Sequence, residues 1–294
     1  MPLLDKLREQ YGVGPLCSEL HIAPSTYYHC QQQRHHPDKR SARAQRDDWL
    51  KKEIQRVYDE NHKVYGVRKV WRQLLREGIR VARCTVARLM AVMGLAGVLR
   101  GKKVRTTISR KAVVAGDRVN RQFVAERPDQ LWVADFTYVS TWRGFVYVAF
   151  IIDVFAGYIV GWRVSSSMET TFVLDALEQA LWARRPSGTV HHSDKGSQYV
   201  SLAYTQRLKE AGLLASTGST GDSYDNAMAE SINGLYKAEV IHRKSWKNRA
   251  EVELATLTWV DWYNNRRLLE RLGHTPPAEA EKAYYASIGN DDLA

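Results

Sequence analysis

The sequence predicts an α/β core, a mixed five-stranded sheet flanked by helices, preceded by an all-α region with the pattern of a helix-turn-helix. Three observations carry that prediction. Apolar residues follow a helical period up to Gln130 and then switch to strand-like runs. The charge divides at the same place: residues 1–130 hold 27 Lys and Arg against 13 Asp and Glu, and residues 131–294 hold 16 against 19. After Gln130 the elements succeed one another as β-β-β-α-β-α-β-α, which a two-layer helix-on-sheet architecture accommodates.

Residues 1–30 contain LLDKLREQY and PLCSELHIAPSTYYH, short helical patterns with a turn at Ile22–Pro24 and Ser25 as the expected cap of the following helix. A helix-turn-helix and a plain helical hairpin fit them equally. Residues 31–46, QQQRHHPDKRSARAQR, are polar and unpatterned and read as a linker. Residues 47–106 form the stronger helical unit, with helices expected at 48–60, 67–77 and 85–93 and stops at Gly78 and Gly94. On the second helix Val70, Leu74 and Leu75 face inward, while Arg68, Lys69, Arg72 and Arg76 face out. Arg83, Thr85 and Arg88 open the third helix, the element that enters a major groove in helix-turn-helix proteins. From His62 to Gly116 there are 14 basic residues and one acid, Glu77. That imbalance points to a DNA grip made by Arg68, Lys69, Arg72, Arg83, Thr85 and Arg88, continued by Lys102, Lys103 and Arg105. Residues 107–127 read as a basic connector.

The runs LWVADFTYVST, GFVYVAFIIDV and GYIVGWRVS are rich in Val, Ile and aromatic residues and read as three antiparallel strands. METTFVLDALEQALWARR is an amphipathic helix, TVHHS a short strand, SLAYTQRLKEAG a helix and LLASTGS a fifth strand. Asn226 to about Ile241 is a helix, and Asn248–Leu269 another, its pattern broken at Pro276 and Pro277. This is the ribonuclease-H-like order. The core is assigned to residues 128–242 and a C-terminal helical tail to 243–294.

Three cysteines, Cys17, Cys30 and Cys84, make no CxxC pair and no even disulfide set, which suits a reducing cytosol. Cys17, His21, His29 and Cys30 lie close together, but their spacing fits no zinc pattern. The N-terminus has no apolar targeting core, and the greasy stretch Phe145–Trp162 is interrupted by Asp153 and Gly157, so it reads as buried strands rather than a membrane span.

Three carboxylates sit in three unlike settings. Asp135 lies within the first strand, Asp194 follows the short strand VHHS, and Glu230 lies on the helix after AMA. Carboxylates gathered from separate elements are what a two-metal phosphoryl-transfer site requires, since hard divalent ions take oxygen ligands. His191 and His192 stay out of that set because imidazole suits softer ions. Thr137 should share a side with Asp135, Lys195–Gln198 suits a mobile loop over substrate, and Ser223, Asp225 and Asn226 stand at the helix entrance, as caps or as phosphate contacts. Lys237, seven residues after Glu230, falls on the same helical face.

On YGVRKVWRQL, CTVARLM, WVADFTYV, HHSDKGSQY, DNAMAES and YNNRRLLERLGHTPP the chain resembles, nearly end to end, the second-frame (OrfB) transposases of the IS-three family of insertion sequences, whose core is similar to retroviral integrases. The resemblance implies Asp135, Asp194 and Glu230 as ligands of two Mg2+ ions, with Mn2+ able to substitute, and Lys237 as a contact to DNA beside the reacting phosphate. It further implies cleavage of element ends and joining of the 3′-hydroxyl to DNA, a homo-oligomeric synaptic complex, and an upstream-frame (OrfA) partner or fusion. The setting it implies is the bacterial cytoplasm, at the nucleoid when bound to DNA. Two other readings use part of the same pattern: a ribonuclease-H-like nuclease or resolvase limited to hydrolysis, and a DNA-binding regulator without catalysis. No GxSxG elbow is present, which sets serine-triad hydrolysis aside.

Overall fold

A computed structural model describes residues 2–99, 124–194, 196–217 and 227–291. Helices α1 (Pro2–Tyr11), α2 (Val13–Glu19) and α3 (Pro24–His35) close a small cluster around Leu4, Cys17 and Tyr27. Pro24, not Ser25, starts α3; its missing N–H is one the first helical turn leaves unbonded anyway. The stretch expected as a linker is mostly helical. α3 runs on to His35, a 3₁₀ turn covers Pro37–Lys39, and α4 spans Ala42–Glu60, capped by Ser41 Oγ, which accepts from Ala44 N–H at 3.3 Å. The helix was expected only from 48; its first turns, ARAQRD, have no large apolar residue and so escaped a reading based on apolar period.

Helices α5 (Val67–Arg76) and α6 (Arg83–Val92) complete the three-helix unit. Leu50, Ile54 and Val57 of α4 pack with Val70, Leu74, Val86, Leu89 and Met90. The two expected stops hold for a backbone reason: Gly78 and Gly94 take φ of +83° and +67°, which lets Ile79 N–H and Leu95 N–H close back onto Leu74 and Met90 carbonyls at 2.9 Å.

The described strands, β1 (Leu131–Thr141), β2 (Gly144–Asp153), β3 (Tyr158–Ser165), β4 (Val190–Ser193) and β5 (Leu214–Thr217), make one sheet in the order β3-β2-β1-β4-β5. β1–β2 and β2–β3 are antiparallel, while β1–β4 and β4–β5 are parallel. Alternation along β1 feeds two cores. Leu131, Val133 and Val139 face one, Trp132 and Ala134 the other. The second core is covered by α7 (Thr170–Arg184) and α8 (Leu202–Glu210). Gly161 of β3 admits α7 closely, since a Cβ there would sit 2.2 Å from the Ala176 carbonyl oxygen. The first core is covered by α9 (Ala227–Glu239) and α10 (Arg249–Asn265).

The C-terminal segment is no appended tail. Val252, Trp259, Val260, Trp262 and Tyr263 of α10 lie in the same apolar cluster as the strands and the three-helix unit. Pro277 begins a further helix, α11 (Pro277–Asp291), instead of ending one. The three-helix unit is stitched to this segment: Tyr65 Oη accepts from Leu268 N–H at 2.8 Å, and Trp262 Nε1–H donates to Asn61 Oδ1 at 3.1 Å. Among the described residues no helix is long and apolar enough to cross a membrane.

Candidate active site

β1 delivers Asp135 to the middle of the sheet, opposite Phe150 of β2, just past the point where β4 stops pairing with β1 at Ser193. Asp194 leaves the end of β4 beside it. The parallel pairing of β1 and β4 thus brings together two carboxylates that are far apart in the chain. Glu230 rides on the first turn of α9, and Asn233, one turn further on, donates Nδ2–H to Asp135 Oδ2 at 2.9 Å. Phe136 N–H donates to the other Asp135 oxygen at 2.8 Å.

Burial pushes the Asp135 carboxyl up to about 7, and the charges of Asp194 and then Glu230 push in the same direction, against the hydrogen bonds from Phe136 and Asn233. The three predicted carboxylates are therefore electrostatic neighbours. Among the described residues no three carboxylate, imidazole or thiolate groups are placed to hold an ion as they stand, this set included. Its donor chemistry nonetheless suits a hard divalent cation, being all oxygen with like charges in need of neutralisation. Asn233 Oδ1 adds a further oxygen, buried and without a hydrogen-bond partner among the described residues.

Lys237 lies over the Tyr138 ring, 5.0 Å from its centroid. Burial lowers its ammonium, while Asp135 raises it. Thr137 is buried, as its parity with Asp135 predicts. The segment after Asp194 is less loose than expected: Gly196 N–H donates to Asp194 Oδ1 at 3.0 Å, and buried Gln198 donates Nε2–H to the Met168 carbonyl at 3.1 Å. Lys195, Ser223, Asp225 and Asn226 fall outside the described residues. His191 and His192 are sheet residues with other partners. His191 Nε2 meets Tyr204 Oη, and His192 Nδ1 meets Ser216 Oγ, each at 3.0 Å. Burial lowers the His191 imidazole to about 4.

Asn233 escaped the sequence reading because an Asn on an amphipathic helix carries no signal by itself. Its spacing from Glu230, one helical turn on the same face, was the available clue. Glu239 was missed as well. At the far end of α9 it accepts both Trp259 Nε1–H at 3.0 Å and Arg267 Nε–H at 3.1 and 3.2 Å, with Glu239 4% and Arg267 6% exposed at the side chain. Arg267 is the second arginine of NNRR, so this pair fixes the Glu230 helix to the segment that also grips Tyr65.

The predicted DNA-contact residues divide. Arg68 pairs with Glu270, and Arg88 donates to both Asp47 oxygens at 2.9 Å. Lys69 is largely enclosed beside Tyr65, its ammonium lowered to about 8 by burial and by Arg267. These three are occupied inside the chain. Arg72 stacks on Trp71 at 4.7 Å, Arg83 is exposed at the start of α6, and Thr85 is half-buried. Lys102, Lys103 and Arg105 lie outside the described residues.

Family models match in the same order as these elements: an HTH-like domain over residues 45–103, and an integrase core domain over 125–223 and again over 211–277. The transposase for insertion sequence element IS629 of Shigella sonnei is 99% identical over 294 residues, covering 100% of this chain and 99% of its own. The putative transposase for IS986/IS6110 of Mycobacterium tuberculosis (strain ATCC 25177 / H37Ra) is 54% identical over 273 residues, 90% of this chain and 96% of its own. A probable transposase for IS1353 of Shigella flexneri is 32% identical over 292 residues, 96% of this chain but 54% of its own. The chain belongs to the IS3 family of insertion-sequence transposases, polynucleotidyl transferases that join an HTH-like domain to a ribonuclease-H-like integrase core.

Proposed function

We propose that Asp135, Asp194 and Glu230 are the catalytic carboxylates with which this transposase cleaves the ends of its element and joins the freed 3′-hydroxyl to DNA. The observation that carries the reading is the meeting of β1, β4 and α9 at Asp135, whose carboxyl feels both other acids. The three would hold two Mg2+ ions, with Mn2+ able to substitute. Bound there, the ions supply charge stabilisation for the attacking and leaving oxygens of an in-line displacement.

The protein's own part is positioning. Phe136 N–H and the Asn233 amide fix the Asp135 carboxylate, and the Gly196 N–H does the same for Asp194. Lys237 offers a cation to a phosphate beside Asp135. No Ser, Tyr or Cys nucleophile is required, because a water or a DNA 3′-hydroxyl attacks phosphorus directly. In this division of labour residues 47–106 grip the terminal repeats, 128–242 carry the chemistry, and the helices after 243 hold the two together. Arg72, Arg83 and Thr85, with Lys102, Lys103 and Arg105, remain the DNA contacts of this reading. Target DNA, further copies of the chain and an upstream-frame protein or fusion are the proposed partners, acting in the bacterial cytoplasm at the nucleoid.

The test is strand transfer with labelled element ends, with and without fusion to the upstream frame, in Mg2+ and in chelator. Joining that needs the divalent ion and all three carboxylates is the expected result. Hydrolysis without joining of pre-cleaved ends, even in the fusion, would favour a nuclease instead.

A further inference from the structure

The β1–β2 hairpin runs on past the carboxylates and ends in exposed aromatic side chains. Tyr138 is 59%, Phe145 57% and Trp142 72% exposed. Tyr138 pairs with Tyr147 and Ser140 with Phe145, which puts Tyr138 and Phe145 diagonally on one face of the ribbon. Their rings meet edge to face at 5.6 Å and 89°, leaving ring surface open to solvent. Single exposed aromatics are common, but several gathered at one hairpin end form a patch of the kind that marks an interaction surface.

Cations surround these rings. The Lys237 ammonium stands 5.0 Å from the Tyr138 centroid and that of Lys247 6.0 Å from the Trp142 centroid. Lys244 lies over Trp246 at 4.3 Å. Arg143 at the hairpin tip and Arg249 at the start of α10 line a cavity of about 350 Å³ together with Thr141, Phe145, Val146 and Asn248. Two acids lie on the same segment. Glu251 caps the chain at Lys247 N–H, and Glu253 pairs with Arg249 at 3.8 Å. The tip is anchored, since Trp142 N–H donates to the Trp246 carbonyl at 3.0 Å, so the ring is presented from a fixed backbone.

Open ring faces interleaved with ammonium groups match single-stranded nucleic acid, whose bases stack on any π-face while its phosphates follow the cations. A duplex hides its base faces and could use only the charges. Tyr138 lies three residues past Asp135, roughly 10 Å of strand and on the opposite face by alternation. Lys237 from the Glu230 helix, however, reaches over its ring along the β1 edge that β4 no longer pairs. A strand emerging from the carboxylates therefore reaches the rings around that edge within a few nucleotides. We propose that the end of the β1–β2 hairpin is a docking surface for unpaired nucleotides flanking the scissile phosphate, stacked on Trp142, Phe145 and Tyr138 and held by Lys244, Lys247 and Arg143. The assignment rests on the transposase reading of the carboxylate site.

The experiment measures affinity of the full chain, by anisotropy, for a blunt element-end duplex and for the same duplex carrying a short single-stranded flank, with tryptophan quenching recorded in parallel. The wild type should prefer the flanked end by about fivefold or more, the scale of one stacked base. Trp142→Ala should bring that ratio close to one without altering blunt-duplex affinity or thermal unfolding, and Trp142→Phe should restore most of it. An unchanged ratio in Trp142→Ala, or equal binding of both ends by the wild type, overturns this proposal and leaves the transposase reading standing. Loss of self-association in Trp142→Ala with the ratio intact also overturns it and assigns the surface to a second copy. Failure to bind either DNA counts against both readings.

Discussion

On α5, Arg68 and Arg76 end against the carboxylates of Glu270 and Glu279, whereas Asp135 in the sheet ends against Asp194 and Glu230. The basic region announces itself in the sequence as a concentration of one charge, whereas the three carboxylates are scattered along the chain. Folding treats them oppositely. The arginine stripe is met by acids from the C-terminal segment, and Arg88 by Asp47, so much of the apparent DNA-binding charge joins one part of the chain to another. The carboxylates are brought closer to their own kind, and burial then raises the cost of ionising Asp135. A like-charge cluster gathered by the fold is where the proposed function places a divalent ion. The charged stripe has counterions within the chain, though its pairs are exposed and weak.

Asp153 sharpens the contrast. Its carboxyl is also pushed up to about 7 by burial, opposed by N–H donors from Asp129 at 2.6 Å and Phe155 at 3.0 Å. Its like-charge neighbours are Asp129 and Glu281, and Arg184 lies between those two, 3.9 Å from the first and 2.8 Å from the second. Asp153 binds the turn between β2 and β3. A raised carboxyl alone therefore does not mark the proposed site; what distinguishes Asp135 is its place among carboxylates from three elements.

The largest effect should come from the carboxylates themselves. Asp135→Ala, Asp194→Ala and Glu230→Ala should each reduce strand transfer to background while element-end binding persists in a gel-shift assay. Normal joining by any one of them would break the comparison at its base.

Next stands the Glu239–Arg267 pair. Removing one partner leaves a buried charge, so Arg267→Met should cost about 3–5 kcal/mol in chemical denaturation, and a double replacement with Glu239→Gln should cost less than the single change. Equal losses in the single and double variants would show that packing, not charge, holds the joint.

Asn233→Ala should lower activity by roughly ten- to a hundredfold and raise the divalent-ion concentration needed for half-maximal rate, with little change in unfolding temperature. A slower enzyme with unaltered ion dependence would remove Asn233 from the positioning of Asp135.

Stability should also track pH. Asp135 and Asp153 bind protons more tightly in the folded chain than in the unfolded one, so between about pH 4 and pH 7 stability without divalent ions should fall as pH rises. Asp135→Asn and Asp153→Asn should each flatten that slope, but only Asp135→Asn should abolish stabilisation by added Mg2+ or Mn2+. Identical ion responses in the two variants would erase the distinction between them.

The smallest effects belong to the arginine stripe. Arg68→Ala and Arg76→Ala break exposed pairs worth under about 1 kcal/mol each and should leave the salt dependence of DNA binding nearly unchanged. Arg83→Ala should instead reduce the salt slope by about one unit. The reverse ranking would return α5 to the DNA face.

The strands, the helix stops after 76 and 92, and the order of elements were legible because each rests on local signals: β-branched runs, glycine stops and helical period. Asp135, Asp194 and Glu230 were singled out by their unlike settings, and their role is the one proposed for them above. The first turns of the helix from Ala42, before the expected start at 48, and the helix started by Pro277 were not legible, the first lacking large apolar residues and the second beginning at a residue read as a break. What tertiary structure alone decided was which charges meet. Asn233 on Asp135, Arg267 on Glu239 and Glu270 on Arg68 are contacts across 98, 28 and 202 residues of chain, and no local pattern encodes a partner at that distance. Chain sequence sets the charge each residue carries; the fold determines whether that charge is answered within the molecule or left for an ion and for DNA.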